Sequence, residues 1–159
     1  MLTENDIFLD KVDLGILRVM QENARITNAD LARELNMAPS GVLERVKKLE
    51  QKQVILQYTT RLNPAPLQQK LLAFVFMKAS DGLGCSTTGK ELARIPEVQE
   101  VHHIAGEDCY LVKIRTADSA SLMELMRNQF SKLKNIVSTR TTIVLETVKE
   151  QQQLLIPEK

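Results

Sequence analysis

Arg45, Lys47 and Lys48 crowd one short stretch, PSGVLERVKKLEQ, with Ser40, Gly41 and Glu44 beside them. Cations at this density neutralise phosphates, and small or polar neighbours can approach base edges. A second group is His102, His103 and Cys109, types that ligate metals. Adjacent strand residues point to opposite faces, so the two histidines do not share an ion. No Cys-x-x-Cys or His-x3-His spacing supports a site, so no metal is expected. Cys109 reads first as a small buried residue and second as a redox sensor. Gly106-Glu107-Asp108 has the composition of a tight turn carrying two acids. No Gly-rich phosphate loop, nucleophile elbow or credible triad is present, so no catalytic residue, enzyme activity or cofactor is expected.

The basic stretch must be positioned, and the residues before it do so. Thr27 is an N-cap, and Asp30 three residues later completes a Thr-x-x-Asp pattern. Ile26 and Leu31 can staple that helix start. The first helix buries Leu31, Ala32 and Leu35; Asn36-Met37-Ala38 is a turn, and Pro39 opens the next helix. There Val42, Val46 and Leu49 form one narrow apolar stripe. The opposite face carries Ser40, Gly41, Glu44, Lys47, Lys48 and Gln51, with Arg45 on the border. An earlier helix is marked by Leu9, Val12, Ile16, Leu17 and Met20, and a strand is expected from Val54 to Leu62. Three helices and then a β-element is the order of a winged helix–turn–helix, whose second motif helix enters the major groove. Thr27 and Asn28, at the start of the first motif helix, are further candidates for DNA contact. A solvated helical hairpin is the plainer alternative.

Charge distribution agrees. The net charge is +1. Residues 1–26 hold three Lys/Arg and five Asp/Glu, whereas residues 27–63 hold six and four. With so few cations per subunit a monomer binds DNA weakly, and a dimer or larger assembly is the remedy. The opening MLTENDIFLDKVD lacks an apolar core segment, no run reaches membrane-spanning length, and two cysteines make no disulfide scaffold. A cytoplasmic protein without membrane association is expected.

Asn63-Pro64-Ala65-Pro66 marks the domain boundary, giving domains at 1–63 and 64–159. In the second domain the expected order is a strand at Leu71–Lys78 and a loop at Asp81–Gly84. A helix at 86–94 follows, then strands at Glu97–Ile104 and Tyr110–Arg115. Asp118 caps a helix with an apolar face of Leu122, Leu125, Met126, Phe130 and Leu133. A long strand from Val137 to Val148 closes the domain. The order β-α-β-β-α-β is the ferredoxin-like arrangement, so the chain is α+β. With both helices on one face, the other sheet face is left for a dimer interface or a ligand.

Over residues 8–149 the chain resembles the Lrp/AsnC family, the feast/famine regulators. The markers are LDKVDLGILRVMQENARITNADLARELNMAPSGVLERVKKLEQKQVI, YTTRLNP, IPEVQEVHHIAGEDCYLVKIR and TRTTIVLETVKE, in that order. The resemblance implies a DNA-binding transcription regulator whose second domain senses a small effector, often an amino acid. Members are homodimers that often assemble to octamers, with the effector bound between dimers. That site corresponds here to Gly106, Glu107, Asp108 and Cys109, with Thr139 and Thr141 of the TRTT segment and His102 nearby. Two departures stand out. Ala38 replaces the usual serine cap of the recognition helix, and Cys109 replaces the usual turn aspartate, so either Glu107 or Asp108 supplies the charge for an ammonium group from a neighbouring position, or the effector is not a free amino acid. Relatives that decarboxylate sirohaem on the same two-domain fold are the rival reading; Arg45, Lys47 and Lys48 favour DNA. A sensor acting only through protein partners is a third reading, which predicts no salt-dependent DNA binding.

Overall fold

A computed structural model describes residues 7–80 and 87–158. The chain divides into two compact units. The first comprises residues up to Arg61 together with the segment from Glu150 onward, and the second runs from Leu62 to Lys149. The expected boundary thus falls two residues earlier, and the last ten residues belong with the first unit. The reason is local: the segment around Leu154 hydrogen-bonds to Gln21.

The first unit holds α1 (Lys11–Glu22), α2 (Asn28–Glu34) and α3 (Pro39–Gln51). Its core is Ile16, Leu31, Ala32, Val42, Val46 and Leu49, with Leu9, Val12, Leu17, Met20 and Ile26 around it. Asp10 and Asp13 cap α1 reciprocally. The turn between α2 and α3 is fixed by Asn36, whose φ of 53° is left-handed. Asn36 N–H donates to the Arg33 carbonyl and Met37 N–H to that of Ala32, closing α2 with a Schellman motif. The end of α3 repeats it, with Gln53 at φ 58° in the place glycine usually takes. The expected strand at Val54–Leu62 is not formed: the segment makes no ladder within the described chain. Extended backbone becomes a strand only when a second edge lies beside it, and here none does. Tyr58 nevertheless anchors the segment, donating to Glu50 Oε1 at 2.8 Å.

The second unit is a four-stranded antiparallel sheet in the order β2-β3-β1-β4. It is built from β1 (Leu71–Ala79), β2 (Val98–His103), β3 (Tyr110–Thr116) and β4 (Ile136–Ile143). Helices α4 (Thr87–Leu92) and α5 (Ser119–Asn128) complete the expected β-α-β-β-α-β order. Ala73, Val75, Met77, Tyr110, Val112 and Ile114 share one core with Leu92, Leu122 and Leu125, so both helices cover the same face. Asp118 caps α5 as expected, accepting from Ser121 N–H at 2.8 Å. Phe130 lies beyond α5, on a 3-10 turn at Phe130–Lys132. The last strand ends at Ile143 rather than Val148: Ile143 pairs with Ala73, and Val144 N–H makes the final bond to Leu72, near the start of β1. The expected loop at Asp81–Gly84, and Cys85, lie outside the described residues.

Candidate nucleic-acid interface and effector turn

Helix α3 begins at Ala38, which offers no side-chain cap. Pro39 at the first position has no N–H to satisfy, and Gly41 and Val42 N–H both donate to the Ala38 carbonyl. Val42, Val46 and Leu49 are buried inward. Ser40, Glu44, Lys47, Lys48 and Gln51 are exposed on the other side, with Gly41 half-buried against the Met37 side chain. Leu43 is also exposed on the flank of this face, a position the charge pattern did not single out. Thr27 acts as the α2 cap: its hydroxyl accepts from Asp30 N–H and donates to the Asp30 carboxylate. Asn28 is exposed at the first position of α2.

The three cations of α3 have different settings. Lys47 is exposed and makes no ion pair among the described residues. Lys48 pairs with Glu44 at 2.8 Å, both side chains well exposed, so the pair opens at little cost. The hydrogen bond from Lys48 holds the Glu44 carboxyl below its usual range. Arg45 is turned the other way. Its Nη1 donates to Asp10 Oδ2 at 2.7 Å and Asp13 Oδ1 at 2.8 Å, tying α3 to the capped start of α1. The Asp13 amide and then Arg45 hold the Asp10 carboxyl below its usual value of 3.8. A carboxyl lowered on folding stabilises the fold above its unfolded value and loses that contribution as pH falls through the folded one. The first unit should therefore lose stability below about pH 4. Arg45→Ala should flatten that acid dependence, measured as melting temperature against pH from 2 to 6. An unchanged profile would show that the pair contributes nothing.

In the second unit, Gly106 adopts φ 145°, a conformation that favours glycine, and open space surrounds it. Asp108 is half-buried in the same turn and accepts from Arg140 Nη2 at 3.0 Å. The Arg140 guanidinium lies 4.2 Å over the Phe76 ring. The register places His102, Leu111, Phe76 and Arg140 in one row across all four strands, on the face away from the helices. Arg140 and Phe76 were not found from sequence; only the strand register brings them to Asp108. His102 binds Glu100 at 3.1 Å, and Lys113 binds the same carboxylate at 3.0 Å. Burial pushes the Glu100 carboxyl up, but these two partners outweigh it and the net shift is downward. Glu107 is exposed. Cys109 is half-buried, its sulfur 3.4 Å from Ala79 N and its N–H bonded to Met77.

The sequence-derived site is not one cluster. Thr139 and Thr141 pair with Met77 and Val75, core residues of the helix-covered face, so they sit on the opposite side of the sheet from Arg140 and His102. His103 also turns away from His102 and stacks on Tyr110 at 5.1 Å. Among the described residues no three His, Cys, Asp or Glu side chains converge on a metal-sized site. No described helix is long and apolar enough to cross a membrane.

Two family descriptions match this chain in the same order as the two units. A winged helix–turn–helix DNA-binding domain matches residues 9–55 and an Lrp/AsnC ligand-binding domain matches residues 72–154. The leucine-responsive regulatory proteins of Klebsiella pneumoniae and Escherichia coli K12 are 33% identical over 150 residues, covering 93% of this chain and 92% of theirs. Among solved structures, the feast or famine regulatory protein of M. tuberculosis complexed with L-methionine superposes with TM-score 0.86. It is 31% identical, covering 94% of this chain and all of that one. A transcriptional regulator of Neisseria meningitidis in complex with L-Met gives TM-score 0.86 at 27% identity, covering 93% and 97%. These relatives are regulators by name, which supports the regulator reading over the decarboxylase one. With a DNA-binding helix–turn–helix in its first unit and a ligand-binding domain in its second, the chain belongs to the Lrp/AsnC family of transcription regulators.

Proposed function

We propose that the protein reads double-stranded DNA with the outer face of α3 and answers to an α-amino acid at the Gly106–Cys109 turn. The observation that carries the first part is the division of α3, with three buried aliphatic residues on one side and an exposed polar face on the other. Ser40, Gly41 and Glu44 approach base edges, and Lys47 and Lys48 neutralise phosphates. Arg45 supports them by holding α3 against α1, and Thr27 and Asn28 contribute from the start of α2. The protein acts in the cytoplasm as a homodimer or a larger homo-oligomer, up to an octamer. The open sheet face forms a two-fold interface, which places two recognition helices about 34–36 Å, or a multiple, apart. Sedimentation at micromolar concentration should show no dominant 18.0 kDa species.

For the effector, Asp108 and Arg140 already neutralise one another at 3.0 Å. A zwitterion replaces both partners at once: its ammonium on Asp108 and its carboxylate on Arg140, a charge-assisted exchange. Glu107 adds negative charge, the turn backbone adds donors, and His102 lies along the same row. Two relatives bind L-methionine by the names of their structures, which supports an amino acid as the ligand class. Melting curves against the twenty amino acids identify the ligand, since one that binds only the folded state raises the transition. Glu107→Gln with Asp108→Asn should then weaken that ligand at least tenfold, or about 1.4 kcal/mol. An undiminished affinity would move the site elsewhere.

A further inference from the structure

Leu43 of α3 is 39% exposed, and among the described residues it is the one large apolar side chain exposed on α1, α2 or α3. It lies between Ser40, three residues before it, and Lys47, four after it. Both are exposed, so the three form one row along the outer face of the helix. The core takes nothing from this row, because Val42, Val46 and Leu49 hold α3 to its neighbours. The opposite flank of α3 is ionic. There Gly41, Glu44, Arg45, Lys48 and Lys52 line a hollow, and Glu44 is bonded to Lys48 at 2.8 Å. The side chain of Glu44 is thus drawn away from Leu43, and the apolar group stands clear of the acid.

The start of α3 is slim. Ala38, Pro39, Ser40 and Gly41 precede Leu43 without one long side chain among them. Helical side chains lean toward the N-terminus of their own helix, so Leu43 leans over this first turn. That is the end of a recognition helix that meets base edges. The major-groove edges of the base pairs present hydrogen-bond donors and acceptors and a single apolar group, the 5-methyl of thymine. Against that methyl, both partners remove apolar surface from water. Against the cytosine amino group, a leucine would cover a donor and offer it no acceptor.

We infer that Leu43 selects for thymine: its side chain packs on the 5-methyl group of one thymine in the bound DNA. This rests on the reading of α3 as the helix that enters the major groove. Leu43 then contributes apolar contact, which depends on sequence, and Lys47 beside it contributes charge, which does not. One row of α3 thus carries both kinds of binding, and a substitution at either position separates them.

The test uses the full-length protein and DNA that it selects from a random pool. Each thymine is replaced in turn by deoxyuridine, which keeps every hydrogen-bonding group and lacks only the methyl. At one thymine or more, the replacement should weaken binding by the parent protein about fourfold. Leu43→Ala should keep the parent melting temperature, since the side chain is outside the core. It should bind the thymine DNA about fourfold more weakly than the parent, and lose less than about 1.5-fold further at that deoxyuridine. Leu43→Met keeps an apolar side chain and should still distinguish the two DNAs by about twofold or more. Deoxyuridine that costs the parent nothing at any thymine would overturn the inference. So would a cost that Leu43→Ala leaves unchanged, or one that Leu43→Met abolishes as fully as Leu43→Ala does. In those cases the protein still selects DNA, and the reading of α3 stands. A protein that selects no DNA from the pool would overturn that reading, and this inference with it.

Discussion

Replacing Ile16 with alanine should melt the DNA-binding unit and leave the four-stranded sheet folded. Ile16 is fully buried among Leu31, Ala32, Val42, Val46 and Leu49. No residue of that cluster belongs to the core beneath the sheet. Deleting such a side chain costs about 2–5 kcal/mol, through lost burial and the cavity left behind. A unit this small has little more than that in hand. Calorimetry should show one transition moving down or vanishing and a second that stays in place. DNA binding should disappear with the first. If both units melt together in the parent and shift together in the variant, the two cores are not independent and the division fails.

The second large effect concerns Lys47 and Lys48. Each phosphate contact adds about 0.9 to the slope of log K against log salt. Losing two per subunit should lower the slope by about 1.8 for each subunit engaged, and the affinity by about thirtyfold per subunit at 0.15 M salt. The loss should be nearly uniform across DNA sequences, because phosphate contacts carry no sequence information. Arg45→Ala provides the contrast. Its guanidinium is bound to Asp10 and Asp13, so the substitution should weaken the fold but leave the slope within about 0.5 of the parent. If Lys47→Ala with Lys48→Ala changes neither quantity, the DNA does not meet this face.

Local signals were legible where one residue decides the geometry. Thr27, Pro39 and Asp118 mark helix starts by chemistry that acts over three or four residues, and each does so in the structure. The core stripes of α1 and α3 follow from helical periodicity alone. What failed depended on partners distant in sequence. Val54–Leu62 has the composition of a strand but no edge to pair with. Residues 146–148 have it too, and in this register they lie past the first residue of β1. The faces of the TRTT segment depend on a distant partner too. Period-two alternation says that Thr139 and Thr141 share a face and Arg140 takes the other, but not which face meets the turn. The pairing of Arg140 with Phe76 settles that. Arg45 has the sequence context of a phosphate ligand, and its acids lie 32 and 35 positions away.

The return of the chain at Glu150 also bears on how the protein is made. The effector unit is, in effect, an 88-residue insertion between two parts of the DNA-binding unit. Helix α1 leaves the ribosome early, with the core-facing side of α2 and α3 close behind it. Leu154, whose backbone bonds to the Gln21 side chain of that helix, is synthesised only after the whole sheet. At about 5–20 residues per second, Gln21 waits on the order of ten seconds before that partner exists. During that interval the nascent DNA-binding unit is folded in its core and open along one flank, and a second nascent chain on the same message can offer its own segment first.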